Sequence, residues 1–282
     1  MKKISRRKFL KLGGAAGAAV LAAGYPLFIE RYLVQTNSYQ IPVPNLPPEF
    51  FGFRIVQLTD LHYGPLVPLR LIQNVISRAN RIPCDVIFCT GDYVHEKDAT
   101  GQIDTVWPAL AGLRAPSGVF STLGNHDHWA DTERSQYWLN RTGQNLRHKT
   151  ASILRNGKRL WFVGAGDLSE DHRDLDALLA DVPEPDCRIV MAHNPDTADT
   201  MFKGRVDLFI SGHTHGGQVD IPFIGPPVLP VKNKTYSSGL KTSPKGTGVF
   251  ISRGIGWALY PVRFNCFPEI SVLELVPVPE NG

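Results

Sequence analysis

The chain has 282 residues, 43% hydrophobic and 20% charged, a globular composition that excludes a disordered or collagen-like polymer. Its formal charge of +4 sits at one end: Lys2, Lys3, Arg6, Arg7, Lys8 and Lys11 lie within residues 1–24 with no acid, and removing those six leaves −2 for the remainder. The body therefore lacks the bulk positive charge of a nucleic-acid binder, and no nucleic-acid partner is expected. Four scattered cysteines (Cys84, Cys89, Cys187 and Cys266) form no C-x-x-C pair, which excludes a zinc ribbon or dithiol redox motif. Cys89, inside "DVIFCTGD", is expected as a small core residue.

In chain order, residues 1–34 come first. A basic start precedes the uncharged, mostly apolar stretch Leu12–Ile29, the anatomy of a targeting segment. "SRRKFLK" (Ser5–Lys11), with Phe9 and Leu10 after the arginine pair, resembles a twin-arginine export signal. It implies the twin-arginine machinery as a partner and delivery to the periplasm or the outer face of the cytoplasmic membrane. Ala22-Ala23-Gly24 offers a small-residue cleavage site. If uncut, the stretch approaches the ~20 residues that span a bilayer, so the segment serves either as a signal peptide or as a membrane anchor. Residues 35–50, with four prolines and little periodicity, read as a Pro-rich linker or wrapping arm. The folded domain is expected over 51–282.

From Phe51 onward short apolar runs each end in a polar cluster: "FRIVQLTDLH" (53–62), "DVIFCTGD" (85–92), "GVFSTLGNHD" (118–127), "RLWFVGAGD" (159–167), "CRIVMAHNPD" (187–196) and "VDLFISGHTH" (206–215). Such runs are buried strands. Helices are expected over 68–81, with Leu69, Ile72, Val75, Ile76 and Ala79 on one face, over 131–143 behind an Asp cap, and over 196–204 up to Gly204. This alternation predicts an α/β domain with helices covering sheet faces. "GTGVFISRGIG" and "EISVLEL" lack an intervening helix and predict a second, more antiparallel sheet.

In α/β sheets, sites form beyond the carboxyl ends of strands. Here those ends deliver Asp60 and His62, then Asp92, then Asn125, His126 and Asp127, then His193, then His213 and His215. Such groups would be costly to bring together without a shared cation. Oxygen and nitrogen donors without thiolate suit Mn²⁺, Zn²⁺, Fe or Mg²⁺. So many donors exceed one catalytic metal with an open position and suit two metals sharing a carboxylate. In an extended segment residues i and i+2 point to one side, so His213 and His215 are expected to face adjacent metals, with Gly91 and Gly124 letting backbone approach the cluster.

The series "DLH", "GD", "GNHD", "AHNPD" and "GHTH" resembles the calcineurin-like metallophosphoesterases over about residues 51–275. The resemblance implies a four-layer αββα sandwich: two packed mixed sheets with helices outside. It implies that Asp60, His62, Asp92 and His215 hold one divalent ion and Asp92, Asn125, His193 and His213 the other, in a binuclear phosphodiesterase working through a metal-bridging hydroxide. It also implies that His126 protonates the leaving group; Asp127 is expected to orient His126. His95, His128, His148 and His172 fall outside the pattern and are expected at the surface, with His128 the first exception. A purple acid phosphatase would need a tyrosine three residues after Asp92, where His95 stands.

The ending "SRGIGWALYPVRFNCFPEISVLEL" (252–275) with "GHTHGGQ" resembles exported or membrane-attached bacterial phosphodiesterases. A phosphodiester or pyrophosphate substrate, lipid-linked or not, is expected at the cell envelope. One alternative is a UDP-2,3-diacylglucosamine pyrophosphatase-like role in lipid A synthesis, against which the export signal stands, because that substrate is made in the cytoplasm. The other is a non-catalytic metal-binding scaffold. Residues 218–239, apolar at Ile221, Phe223, Ile224, Val228 and Leu229 and basic at Lys232 and Lys234, suggest a lip that touches lipid, or else a packed loop between the sheets.

Overall fold

The alternating side chains of the strands decide the layers. In the computed structural model, which describes residues 5–8, 11–12, 14 and 24–279, eleven strands form two sheets. The first holds β1 (Gln35–Val43), β2 (Arg54–Leu58), β3 (Val86–Cys89), β4 (Val119–Ser121) and β11 (Glu269–Pro277), in the order β1-β11-β2-β3-β4. The second holds β5 (Thr150–Arg155), β6 (Lys158–Gly164), β7 (Cys187–Met191), β8 (Leu208–Ser211), β9 (Gly239–Thr242) and β10 (Gly248–Ile251), in the order β5-β6-β7-β8-β10-β9. β2, β3 and β4 run parallel, as do β6, β7, β8 and β10.

Period-2 alternation sends every second residue to the other face. Ile55, Val86 and Phe88 pack between the sheets against Phe162, Ile189, Met191 and Phe250. Val56, Ile87 and Cys89 turn outward against helices α1 (Leu69–Ala79), α2 (Thr100–Leu110) and α3 (Asn125–Thr142). On the far side Val190, Phe209 and Val249 meet the short α4 (Leu175–Leu179) and the loop residues Leu229, Val231 and Tyr236. The expected four-layer αββα sandwich is the fold of the chain.

Four expectations need correction. Residues 35–43 are not a linker: they form β1, paired with β11 in parallel from Gln35↔Glu269 to Val43↔Pro277. Pro42 is tolerated there because β1 is an edge strand with one neighbour. Residues 196–204 form no α-helix. A 3₁₀ turn, Pro195–Asp199, is capped by Asn194, whose side chain accepts the Asp196 N–H at 2.9 Å. "GTGVFISRGIG" and "EISVLEL" do not build one sheet together: β10 joins the second, parallel to β8, and β11 joins the first. Residues 252–268 cross between the sheets over the strand ends, where the Ile255 and Gly256 N–H groups bond the Thr59 and Asp60 carbonyls at 3.1 and 2.7 Å. Finally, α3 starts in "GNHD" and kinks at Asp131, whose Oδ1 accepts the Arg134 N–H at 2.9 Å. The expected Asp cap is real but opens only the helix's second half, which ends at left-handed Gly143 as expected.

Candidate metal centre

The seven expected ligand positions all stand just beyond the carboxyl ends of β2, β3, β4, β7 and β8. Asp60, His62 and His215, all buried, offer ligand atoms within 4.8 Å of one another, and so do Asp92, His193 and His213. Asp92 joins the two groups: its Oδ2 is 3.5 Å from His62 Nε2 and 3.2 Å from His193 Nε2. The first and fifth motifs are tied directly, because the His213 N–H donates to both Asp60 carboxylate oxygens at 3.1 Å.

Five of these seven residues (Asp60, His62, Asp92, His213 and His215) have positive φ, between 48° and 70°. That left-handed region is unfavourable for side chains with a Cβ. "GHTH" is therefore not the extended segment expected from the sequence. His213 and His215 flank a right-handed Thr214, and a 3₁₀ turn starts at His215. The two imidazoles still reach different groups: His213 Nδ1 lies 3.1 Å from His193 Nε2, and His215 Nε2 lies 2.9 Å from His62 Nε2. The glycines act as expected. A Cβ on Gly124 would overlap Asp92 Oδ1 and His193 Cε1, and one on Gly91 (φ 102°) would overlap the Gly124 backbone.

The ring partners show which atoms face the centre. His193 Nδ1 lies 2.8 Å from the Thr90 carbonyl oxygen and His213 Nε2 3.0 Å from that of Pro230. A carbonyl only accepts, so each neutral ring places its proton there. The other two ring atoms, His193 Nε2 and His213 Nδ1, face each other at 3.1 Å within the centre. Burial, with the neighbouring His193, holds His213 down to about 4, and burial holds His62 and His215 well below the usual histidine range. Burial also works against charge on His193, but Asp92 beside it outweighs this and lifts the ring to about 10. Asp92 thus favours positive charge where His193 and His213 face each other. Asn125 gives a second sign: its Oδ1 is buried with no hydrogen-bond partner, an arrangement that costs about 1–3 kcal/mol unless a donor or cation meets it. The residues fit two divalent ions.

His126 is half-buried beside the cluster. Its N–H bonds Asp92 Oδ1 at 2.9 Å, and its Nδ1 donates to the His95 carbonyl oxygen at 2.7 Å, which leaves Nε2 as the free ring atom. Asp127 does not orient this ring. Its carboxylate accepts the Asp92, Gly124 and Tyr93 N–H groups at 2.8, 3.0 and 2.9 Å, so it fixes the backbone that carries Asp92 and Asn125. Burial, reinforced by Asp92, pushes its carboxyl up to about 7. His95 is not at the surface: half-buried, it stacks on His126 with centroids 5.6 Å apart and planes 23° apart. His128 and His148 are also half-buried, each with Nε2 3.6 Å from Asp171 Oδ2, while His172 is exposed.

Arg263 went unread in the sequence. It is fully buried, bonds the Gly256 carbonyl at 2.5 Å and lies 3.4 Å from His215 Nδ1. Only the folded return of 252–268 brings it there. Trp129 was missed too; its ring packs 4.6 Å from His126 and its Nε1–H donates to Glu170 at 2.8 Å.

Residues 53–217 match the calcineurin-like phosphoesterase family. The chain belongs to that family. This phosphoesterase is 34% identical to YkuE of Bacillus subtilis, described as an uncharacterized metallophosphoesterase, over 98% of its own length and 99% of that protein's. It is also 34% identical to the phosphodiesterase YaeI of Escherichia coli, over 97% of this chain and all of that one. An uncharacterized metallophosphoesterase of Aquifex aeolicus is 27% identical over 91% of this chain and 97% of its own. Residues 3–23 match the twin-arginine translocation signal, so the phosphoesterase carries the address for export across the cytoplasmic membrane. Among the described residues no helix is long and apolar enough to cross a membrane; residues 1–4, 9–10, 13 and 15–23 of the signal lie outside them.

Proposed function

We propose that this phosphoesterase cleaves phosphodiester or pyrophosphate bonds with two divalent ions, at the outer face of the cytoplasmic membrane. Asp60, His62, Asp92 and His215 hold one ion, and Asp92, Asn125, His193 and His213 the other. The carrying observation is the convergence of two donor groups, Asp60–His62–His215 and Asp92–His193–His213, joined through Asp92, whose Oδ2 lies 3.5 Å from His62 Nε2 and 3.2 Å from His193 Nε2. Bound there, the ions supply charge for the phosphoryl oxygens and lower the pKa of an attacking water.

The protein's own groups do the rest. The His95 carbonyl holds the Nδ1 proton of His126, so Nε2 is the atom that takes up a second proton and, from the imidazolium, passes it to the leaving oxygen. Asp127 holds the Asp92 and Gly124 backbone, so Asp92 and Asn125 stay in place through turnover. The donor set suits Mn²⁺, Zn²⁺ or Fe, with Mg²⁺ also accommodated. The designation of the E. coli relative as a phosphodiesterase supports diesters over monoesters.

The test is hydrolysis of bis-(p-nitrophenyl) phosphate against p-nitrophenyl phosphate, before and after chelation, with Mn²⁺, Zn²⁺, Fe²⁺ or Mg²⁺ restored singly. Diester cleavage that chelation abolishes and a metal restores is the expected result; faster monoester cleavage would reassign the substrate class. Asn125→Ala and His193→Ala should lower kcat at least about a hundredfold in a protein that still folds, the scale on which a preorganised polar group counts in catalysis.

A further inference from the structure

Eleven of the nineteen large hydrophobic side chains exposed among the described residues fall in three segments, 24–33, 219–229 and 257–266. Single exposed apolar residues are ordinary, but a concentration of them marks a binding surface. The segments are joined. The Arg263 N–H donates to the Pro26 carbonyl at 3.2 Å, and Arg31 Nη1 to that of Pro261 at 3.2 Å. The Asp220 N–H donates to the Phe264 carbonyl and the Phe264 N–H to that of Gln218, both at 2.9 Å. Gln218 further bonds the Tyr260 carbonyl at 3.2 Å and the Ala258 N–H at 2.6 Å. Phe28 and Ile29, Phe223 and Ile224, and Leu259 and Tyr260 are all exposed on this assembly. Leu229 is not; it is 8% exposed and packs under the loop. The expected lip therefore exists at Phe223 and Ile224 and is wider than residues 218–239.

We propose that this face of the folded body docks on a lipid bilayer. Two observations select the occupant. The apolar stretch Leu12–Ile29 ends within the face, so whatever membrane receives that stretch meets residues 24–33 first. The face also presents no fully exposed carboxylate. Its only acids are Glu30, buried and accepting the Cys266 N–H at 2.8 Å, and the half-buried Asp220. Anionic headgroups would otherwise be repelled, whereas Arg31, held over the Tyr32 and Trp257 rings at 4.7 and 4.5 Å, and Lys232 supply positive charge nearby. The face adjoins the metal centre, because Gln218 lies three residues after His215 and the Pro230 carbonyl holds His213. Docking would set the centre at headgroup level.

The test uses the full chain with Cys84→Ser, the other three thiols being buried. Single cysteines at Phe223→Cys, Leu259→Cys or Leu154→Cys carry an environment-sensitive fluorophore. Leu154 is exposed on the β5–β6 hairpin, at the opposite end of the second sheet from the metal centre. On vesicles of phosphatidylethanolamine and phosphatidylglycerol, probes at 223 and 259 should brighten at least about threefold and shift blue as they enter the acyl boundary, and the probe at 154 should not. Vesicle-bound protein with silent probes at 223 and 259 would mean that the leader alone anchors it, and would overturn the proposal. So would a response that appears without vesicles and grows with protein concentration, which signals a second copy on this face. Turnover of the soluble diester by the same variants verifies folding and reports on the hydrolytic reading separately.

Discussion

The single most informative atom in the centre is Asn125 Oδ1, an acceptor buried without a donor. In a metal-free protein it is a liability of about 1–3 kcal/mol, and in the proposed loaded centre it would become a ligand. Asn125→Ala should therefore affect stability with opposite sign in the two states. After chelation the variant should melt no lower than the parent. With metal restored it should lose part of the parent's metal-dependent rise in Tm. Scanning calorimetry of both proteins with and without chelator checks this; an equal Tm loss in both states would make Asn125 a structural residue only. At this scale the sequence was legible wherever a chemical group sat in a short motif, as for Asp60, His193 or Asn125. It was silent on Arg263 and Trp129, whose positions depend on a chain return and a helix face. It misplaced His95, because nothing local to "GDYVHE" reveals that its ring will stack on His126.

At the scale of elements, the seam between β1 and β11 turns on Glu269. This carboxylate is fully buried and accepts bonds from Asn37, Tyr39 and the Arg253 side chain at 2.7, 2.8 and 2.8 Å. Burial alone would raise its pKa; the Arg253 guanidinium and the other donors outweigh burial and hold it below 4.5. A carboxyl whose folded pKa is depressed stabilises above its unfolded pKa and loses that contribution as pH falls through the folded value. Glu269→Gln should cost about 1–2 kcal/mol at pH 7, since it takes the carboxylate charge from the half-buried Arg253 guanidinium. The gap between variant and parent should narrow as pH drops below 4.5. Urea titrations at several pH values measure it, and a gap independent of pH would count against the ion pair. The strand hidden in this seam shows why part of the fold escaped the sequence. Gln35–Val43 alternates half-buried and exposed residues and contains Pro42, a pattern that only an edge strand tolerates. Central strands such as "RIVQL" and "CRIVM" were plain, because burial on both faces makes them continuous apolar runs.

Across the whole molecule, the donors come from both sheets: Asp60, His62, Asp92 and Asn125 follow strands of the first, and His193, His213 and His215 follow strands of the second. Ions shared between them would join the two layers. Ligand at a hundred times its Kd stabilises by about 2.7 kcal/mol per site, so chelation should lower Tm by roughly 5–10 °C for a chain of this size. An unchanged Tm would mean that ions do not bridge the sheets.

The left-handed conformations at Asp60, His62, Asp92, His213 and His215 carry a consequence for how this sequence can drift. At each position glycine would relieve about 1 kcal/mol of backbone cost. Against that relief, Asp60→Gly would strip the His213 N–H of its acceptor and Asp92→Gly that of His126, at about 1–3 kcal/mol each, and every one of the five changes would erase a donor. Two aspartates and three histidines thus stand where the backbone itself favours glycine.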